Sequence, residues 1–170
     1  MKLQDLQEQE EKKGTYAGIH FDEDTKDRIM KFIKDNKIPN PIARDKLHTT
    51  LIYSRKHLPK YEAAGKIDPP WTAEPTEFDV WKTQPDNKGN TARCLVMKIE
   101  CTECTERHHK IMDEHNGTFD YDEYRPHITL SYDIGDFKTK DLPDPSTIGD
   151  LKAVKEYKED LNLNWAQDNT

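Results

Sequence analysis

The stretch KLHTTLIYS at 46–54 returns as RPHITLSYD at 125–133 in one shared frame, H-x-T-L-x-Y. His48, Thr50, Leu51 and Tyr53 precede His127, Thr129, Leu130 and Tyr132 by 79 residues. The same shift carries Phe32 onto Ile111 and Ile33 onto Met112, the expected core positions of two helices. A frame that aligns motifs and helix faces together marks a duplicated unit. The chain must therefore fold as two copies of strand, helix, strand, with one further strand after each copy.

Local patterns fill in that plan. Residues 15–21 read as a strand, and a helix follows with Asp24 as N-cap and Ile29, Phe32 and Ile33 on one face. Pro39 and Pro41 stop it, and the first motif strand comes next. Residues 55–75, rich in Pro, Gly and charge, read as a long loop or lid with Trp71 in it, before a strand at 77–83. In the second copy, residues 91–101 form a strand. Thr102 caps a helix whose positions 104, 108, 111, 112 and 115 share a face and which ends near Gly117. The second motif strand follows, and residues 151–165 read as a last strand. The expected architecture is α+β and bilobal, with two antiparallel sheets facing a central cleft and helices outside. Residues 1–13 form a polar segment and residues 14–170 a single domain.

Charge and composition remove several function classes. The net charge of −7 disfavours tracking a long nucleic acid, which relies on a basic stripe that releases counterions. A small nucleotide remains compatible, because a few local cations outweigh the overall repulsion. No apolar run reaches the roughly 18 residues of a membrane span, and MKLQDLQEQEEKK lacks the apolar core of a signal peptide. A soluble cytoplasmic protein is expected. The odd count of Cys94, Cys101 and Cys104 suits a reducing compartment, with half-buried thiols. Cys101, Cys104 and His108 are the one near-zinc grouping, but a fourth ligand and a second C-x-x-C are missing. No metal and no cofactor are expected.

Strand alternation separates chemistry from core. It puts His48 and Thr50 on one face and Leu47, Thr49, Leu51 and Tyr53 on the other. By the same rule His127, Thr129 and Ser131 oppose Ile128, Leu130 and Tyr132, so both tyrosines belong to the core, as do Phe78 and Trp81. Pseudo-twofold symmetry then gathers two imidazoles and two hydroxyls at one point, which suits a phosphodiester. A neutral imidazole takes a proton from the attacking oxygen and a protonated one supplies the departing oxygen, while the hydroxyls hold nonbridging oxygens. A single H-x-T is common by chance; its duplication in register with the helices is not. Lys46, Arg93 and Arg125 are phosphate neighbours by position.

At these residues the chain resembles the 2H phosphoesterase superfamily, whose members carry two H-x-T/S motifs about 80 residues apart on a duplicated bilobal fold. The likeness covers roughly residues 14–165. It implies His48 and His127 as acid and base and Thr50 and Thr129 as phosphate-binding hydroxyls. Within that superfamily the small size, the GTYAGIHF opening and the terminal KEDLNLNW look most like the phage anti-CBASS phosphodiesterases. That resemblance implies metal-independent cleavage of 3′,5′ bonds in cyclic di- and trinucleotide defence signals such as 3′,3′-cyclic GMP-AMP. It places the enzyme in the cytoplasm of an infected bacterium, evading host CBASS immunity, with no long nucleic acid and no membrane as partner. It further implies an aromatic near the N-terminus and a Glu and a Trp near the C-terminus that grip the bases, matching Tyr16, Glu159 and Trp165. Glu159 shares strand parity with Leu161 and Leu163, so a bulge or turn must reorient it, with Glu156 as the alternative; for Trp165 packing in the core is the alternative. Two rival functions remain: an RNA-end enzyme for 2′,3′-cyclic phosphates or 2′,5′ linkages, and a nonenzymatic sponge for the cyclic nucleotide.

Overall fold

A computed structural model describes residues 13–162. Six strands and two helices follow the duplicated order: β1 (Lys13–Phe21), α1 (Glu23–Asp35), β2 (Thr49–Ser54) and β3 (Gly65–Lys82), then β4 (Arg93–Glu100), α2 (Thr102–His115), β5 (His127–Ser131) and β6 (Leu151–Asn162). The fold is α+β, and it corrects the expectation of two facing sheets. All six strands form one antiparallel sheet in the order β2-β1-β6-β3-β4-β5.

The reason lies in the strand that closes each copy. β3, which ends the first copy, pairs with β4 of the second; β6, which ends the second, pairs with β1 of the first. β3 and β6 also pair with each other. β3 is 18 residues long, so residues 65–73 pair with β6 and residues 74–82 with β4. The expected loop at 55–75 is thus strand from Gly65 onward. Pro69 and Pro70 fall where the register with β6 jumps from Lys66 to Trp71, a place that asks no ladder N–H of them. Trp71 pairs with Ala153 and packs on the core instead of closing a lid.

The helices also cross between copies. Helix α1 buries Ile29, Phe32 and Ile33; Phe32 stacks on Phe78 of β3 in its own copy at 5.4 Å, while Arg28 reaches the second copy and donates to the Asp150 carbonyl at 2.6 Å. Helix α2 buries Cys104, His108 and Ile111 and leans on β2, where His108 Nδ1 donates to the Leu51 carbonyl at 2.6 Å. Both N-caps lie upstream of the expected residues. Asp22, not Asp24, accepts from the Thr25 amide at 2.8 Å, and Cys101, not Thr102, caps α2. Cys101 and Cys104 are joined as a disulfide, so only Cys94 is a free thiol. The halves thus share one core.

This arrangement puts the two motif strands at the two edges of the sheet, and those edges approach each other. The segment before β2 spans the gap: the Ile42 amide donates to the Leu130 carbonyl at 2.9 Å, and Pro41 bridges to Ser131.

Candidate active site

Each motif strand carries the same irregularity. Against β1, Ala17 pairs with Ile52 and Gly18 with Thr50, so Leu51 is extra. Against β4, Leu95 pairs with Ser131 and Val96 with Thr129, so Leu130 is extra. One inserted residue reverses the facing of everything after it. Burial follows: His48, Thr50 and Tyr53 are accessible while Thr49, Leu51 and Ile52 are buried, and His127, Thr129 and Tyr132 repeat this against Ile128, Leu130 and Ser131. Tyr53 and Tyr132 are therefore not core residues. They are 38% and 53% exposed and line the same cleft. Ser131 moves the other way, fully buried with its hydroxyl donating to the Pro39 and Asn40 carbonyls at 2.7 and 2.9 Å.

The two imidazoles are held alike. His48 Nδ1 lies 2.7 Å from the Lys46 carbonyl and His127 Nδ1 2.9 Å from the Arg125 carbonyl, each two residues upstream. A carbonyl only accepts, so the proton sits on Nδ1 in both rings. Nε2 is then the lone-pair site of the neutral ring and the donor of the charged one. Burial holds His127 below the ordinary histidine range; the Arg125 carbonyl opposes that shift and the charge of nearby His48 adds to it. Trp81 meets His127 edge-on at 4.5 Å, with its Nε1 donating to Asp79 at 2.9 Å, so it borders the site and is only partly buried.

The cleft beside His48 measures about 760 Å³ and is walled by Tyr16, His20, Tyr53, Tyr132, Tyr157 and Glu159, with Lys46 and Ile42 at its margin. Tyr16 and Thr50 share a hydrogen bond at 2.8 Å. Burial raises Tyr16 far above the usual phenol range despite that bond, so it stays protonated. Glu159 lies directly across the ladder from Tyr16, which puts both on one face. No reorienting bulge is needed, because Leu161 lines the cleft too. Glu156 is not its substitute. It is 1% exposed and takes hydrogen bonds from Arg107, Tyr61 and the Ala64 amide; burial alone would raise its pKa, but those donors hold it below the ordinary value. Trp165 lies outside the described residues.

Sequence reasoning missed His20 and Tyr157, whose rings stack at 4.3 Å. The signal was present in GTYAGIHF, where Tyr16, Gly18 and His20 alternate onto one face. Gly18 leaves the room that Tyr157 fills, since a Cβ would stand 2.6 Å from the Tyr157 hydroxyl lying over it. Burial lowers the His20 pKa, and His48 lies close enough to add to that shift. Thr50, His127 and Thr129 are not part of the cavity wall itself; they adjoin it through Tyr16, His48 and Tyr132, the last interacting with the Thr129 hydroxyl. Among the described residues no group of three or more His, Cys, Asp or Glu is arranged to hold a metal ion, and no helix is long and apolar enough to cross a membrane.

Comparison with known proteins identifies structural and sequence relatives of the chain. Solved structures share the fold: a phosphoesterase at TM-score 0.57 and 19% identity, covering 85% of each chain, and Escherichia coli LigT complexed with 3′-AMP at TM-score 0.56 and 17% identity, covering 86% of each. At those identities the likeness carries the fold alone. In sequence, the chain is 36% identical over 160 residues to the Anti-CBASS protein Acb1 of Vibrio phage KVP40, covering 94% of this chain and 95% of that one. It is 34% identical over 156 residues to the protein of the same name from Enterobacteria phage T4, covering 91% and 93%. The family model described as Anti-CBASS protein Acb1 matches residues 13–168, and on that extent the chain belongs to this family.

Proposed function

We propose that the protein is a metal-independent phosphodiesterase that opens 3′,5′ bonds of cyclic di- and trinucleotide defence signals, such as 3′,3′-cyclic GMP-AMP, and so lets a phage evade CBASS immunity in the cytoplasm of its host. One observation carries this reading: two imidazoles in a repeated frame, each with Nδ1 fixed by the carbonyl two residues upstream. Their Nε2 atoms suit one proton removal and one proton delivery.

The environment of His127 supports an assignment of roles. His127, whose pKa is lowered, favours the neutral form and acts as base on the ribose 2′-hydroxyl beside the scissile bond. That oxygen attacks phosphorus, His48 protonates the departing 5′-oxygen, and a 2′,3′-cyclic phosphate results before any hydrolysis to a terminal phosphate. Thr50 and Thr129 hold the nonbridging oxygens. Tyr16 and Glu159, opposite each other on the cleft wall, engage a base, with Trp165 as a third contact.

The test is a panel in excess EDTA: cyclic di- and trinucleotides, 2′,5′-linked oligoadenylate and RNA ending in a cyclic phosphate, with products identified by mass spectrometry. Linear product from the cyclic nucleotides supports the proposal. Consumption of the RNA or 2′,5′-linked substrate alone makes the protein an RNA-end enzyme, and recovery of intact cyclic ligand after denaturation makes it a sponge.

A further inference from the structure

The duplicated bulge delivers one more pair of residues than two acid-base histidines need. Tyr53 and Tyr132 each stand five positions after the motif histidine and are turned into the cleft by the extra Leu51 and Leu130. Unbulged strands would have buried both on the leucine face. Of the large apolar side chains exposed among the described residues, these two share the active-site cleft. Tyr53 touches another ring only edge-on, Tyr16 at 6.5 Å, and no ring contact is found for Tyr132 among the described residues.

We infer that Tyr53 and Tyr132 are a matched pair of nucleobase-stacking residues, one supplied by each half, that select a ligand with two bases around a central phosphodiester. The inference rests on the phosphodiesterase reading and adds the source of its substrate shape. The two motif strands are the opposite edges of the sheet and approach each other, so each half brings one ring to the wall of the same cleft beside His48. A cyclic dinucleotide has the same near-twofold form: two bases outward, phosphates between. An aromatic face stacks on any base, which lets this pair read the separation of the two bases that flank one phosphodiester while Tyr16 and Glu159 read identity.

The experiment measures calorimetric binding of 3′,3′-cyclic GMP-AMP and of 3′-AMP to the full chain carrying His48→Ala and His127→Ala, so that no turnover interferes. Tyr53→Ala and Tyr132→Ala should each weaken the cyclic dinucleotide by about 5- to 150-fold, the range for loss of one stacked base, and Phe at either position should restore affinity to within about threefold. For 3′-AMP, which has one base, at most one of the two single changes should cost more than about twofold. Unchanged dinucleotide affinity in either Ala variant overturns the inference and leaves the enzymatic reading intact. So does a loss of 3′-AMP affinity in both, which would make the rings one joint platform. Failure of the unmodified chain to bind or cleave any cyclic nucleotide overturns both.

Discussion

Around His48 the cleft is open and aromatic, with Tyr16, His20, Tyr53 and Tyr157 within reach of a ligand; His127 stands outside the cavity wall, with Trp81 set edge-on against the imidazole. The backbone beneath is nevertheless the same twice: bulge, carbonyl-pinned Nδ1 and outward Tyr all repeat. Duplication thus preserved the geometry at both histidines, while the surroundings diverged, burial pushing His127 toward its neutral form. Unlike protonation is what a base and an acid working together require.

The most damaging change is removal of either imidazole. His48→Ala or His127→Ala should lower turnover by about 10² to 10⁴ each, the usual contribution of one general acid or base. The double variant should fall well short of the product of the two, because residues acting as a unit lose their joint effect once either is gone. Near-normal turnover in one single variant would mean that the halves are not partners. At the hydroxyls, Thr50→Val and Thr129→Val should each cost about 10², as for loss of one charge-stabilising donor, whereas Ser should retain most activity. Equal damage from Ser and Val would assign both positions to packing.

The surroundings of His127 yield a pH prediction. With His127 as the proposed base, activity should rise with pH through its pKa, and burial puts that limb below the ordinary histidine value of about 6.5. Trp81→Ala admits water beside the ring, so the limb should move upward toward about 6.5, visible in kcat/KM against pH. EDTA should leave both profiles unchanged. A limb that stays in place in the Trp81 variant would show that His127 is not the titrating base.

Much of this was legible in the sequence because the periods involved are local. Alternation and the 79-residue shift placed His48, Thr50, His127 and Thr129 correctly on exposed faces, and helical spacing gave the buried faces of α1 and α2. What strict alternation cannot register is one extra residue, so it puts Tyr53, Tyr132 and Ser131 on the wrong face. The prolines of β3 disguised strand as loop. The exchange of β3 and β6 between halves was hidden for another reason: it depends on pairings across most of the chain, for which no local pattern stands. Glu159 illustrates a third limit, since the cleft is lined by Leu161 as well, and an apolar residue does not always mark the core.

The smallest expected effect concerns how each bulge is held. In the second half the Leu130 carbonyl takes a backbone bond from Ile42, which no substitution short of proline removes. In the first half the work falls to side chains: Tyr124 donates to the Thr50 carbonyl at 2.7 Å, and His108, stacked on Tyr124 at 4.2 Å, donates to the Leu51 carbonyl. Tyr124→Phe keeps the ring and deletes one hydrogen bond, a loss of about 1 kcal/mol that should lower Tm by about 2–4 °C for a chain of this size. Turnover should fall only a few-fold, through Thr50. His108 adds a pH dependence of definite sign. Burial lowers its pKa in the folded chain, so the unfolded chain takes up this proton first as pH drops below about 6.5, and the stability tied to its neutral form is lost as pH falls toward the folded value. In His108→Gln that acid-side loss should shrink while Tm near neutrality drops. If acid sensitivity is unchanged in His108→Gln, the clamp on the first bulge does not depend on a neutral imidazole, and the two halves are held more alike than their partners indicate.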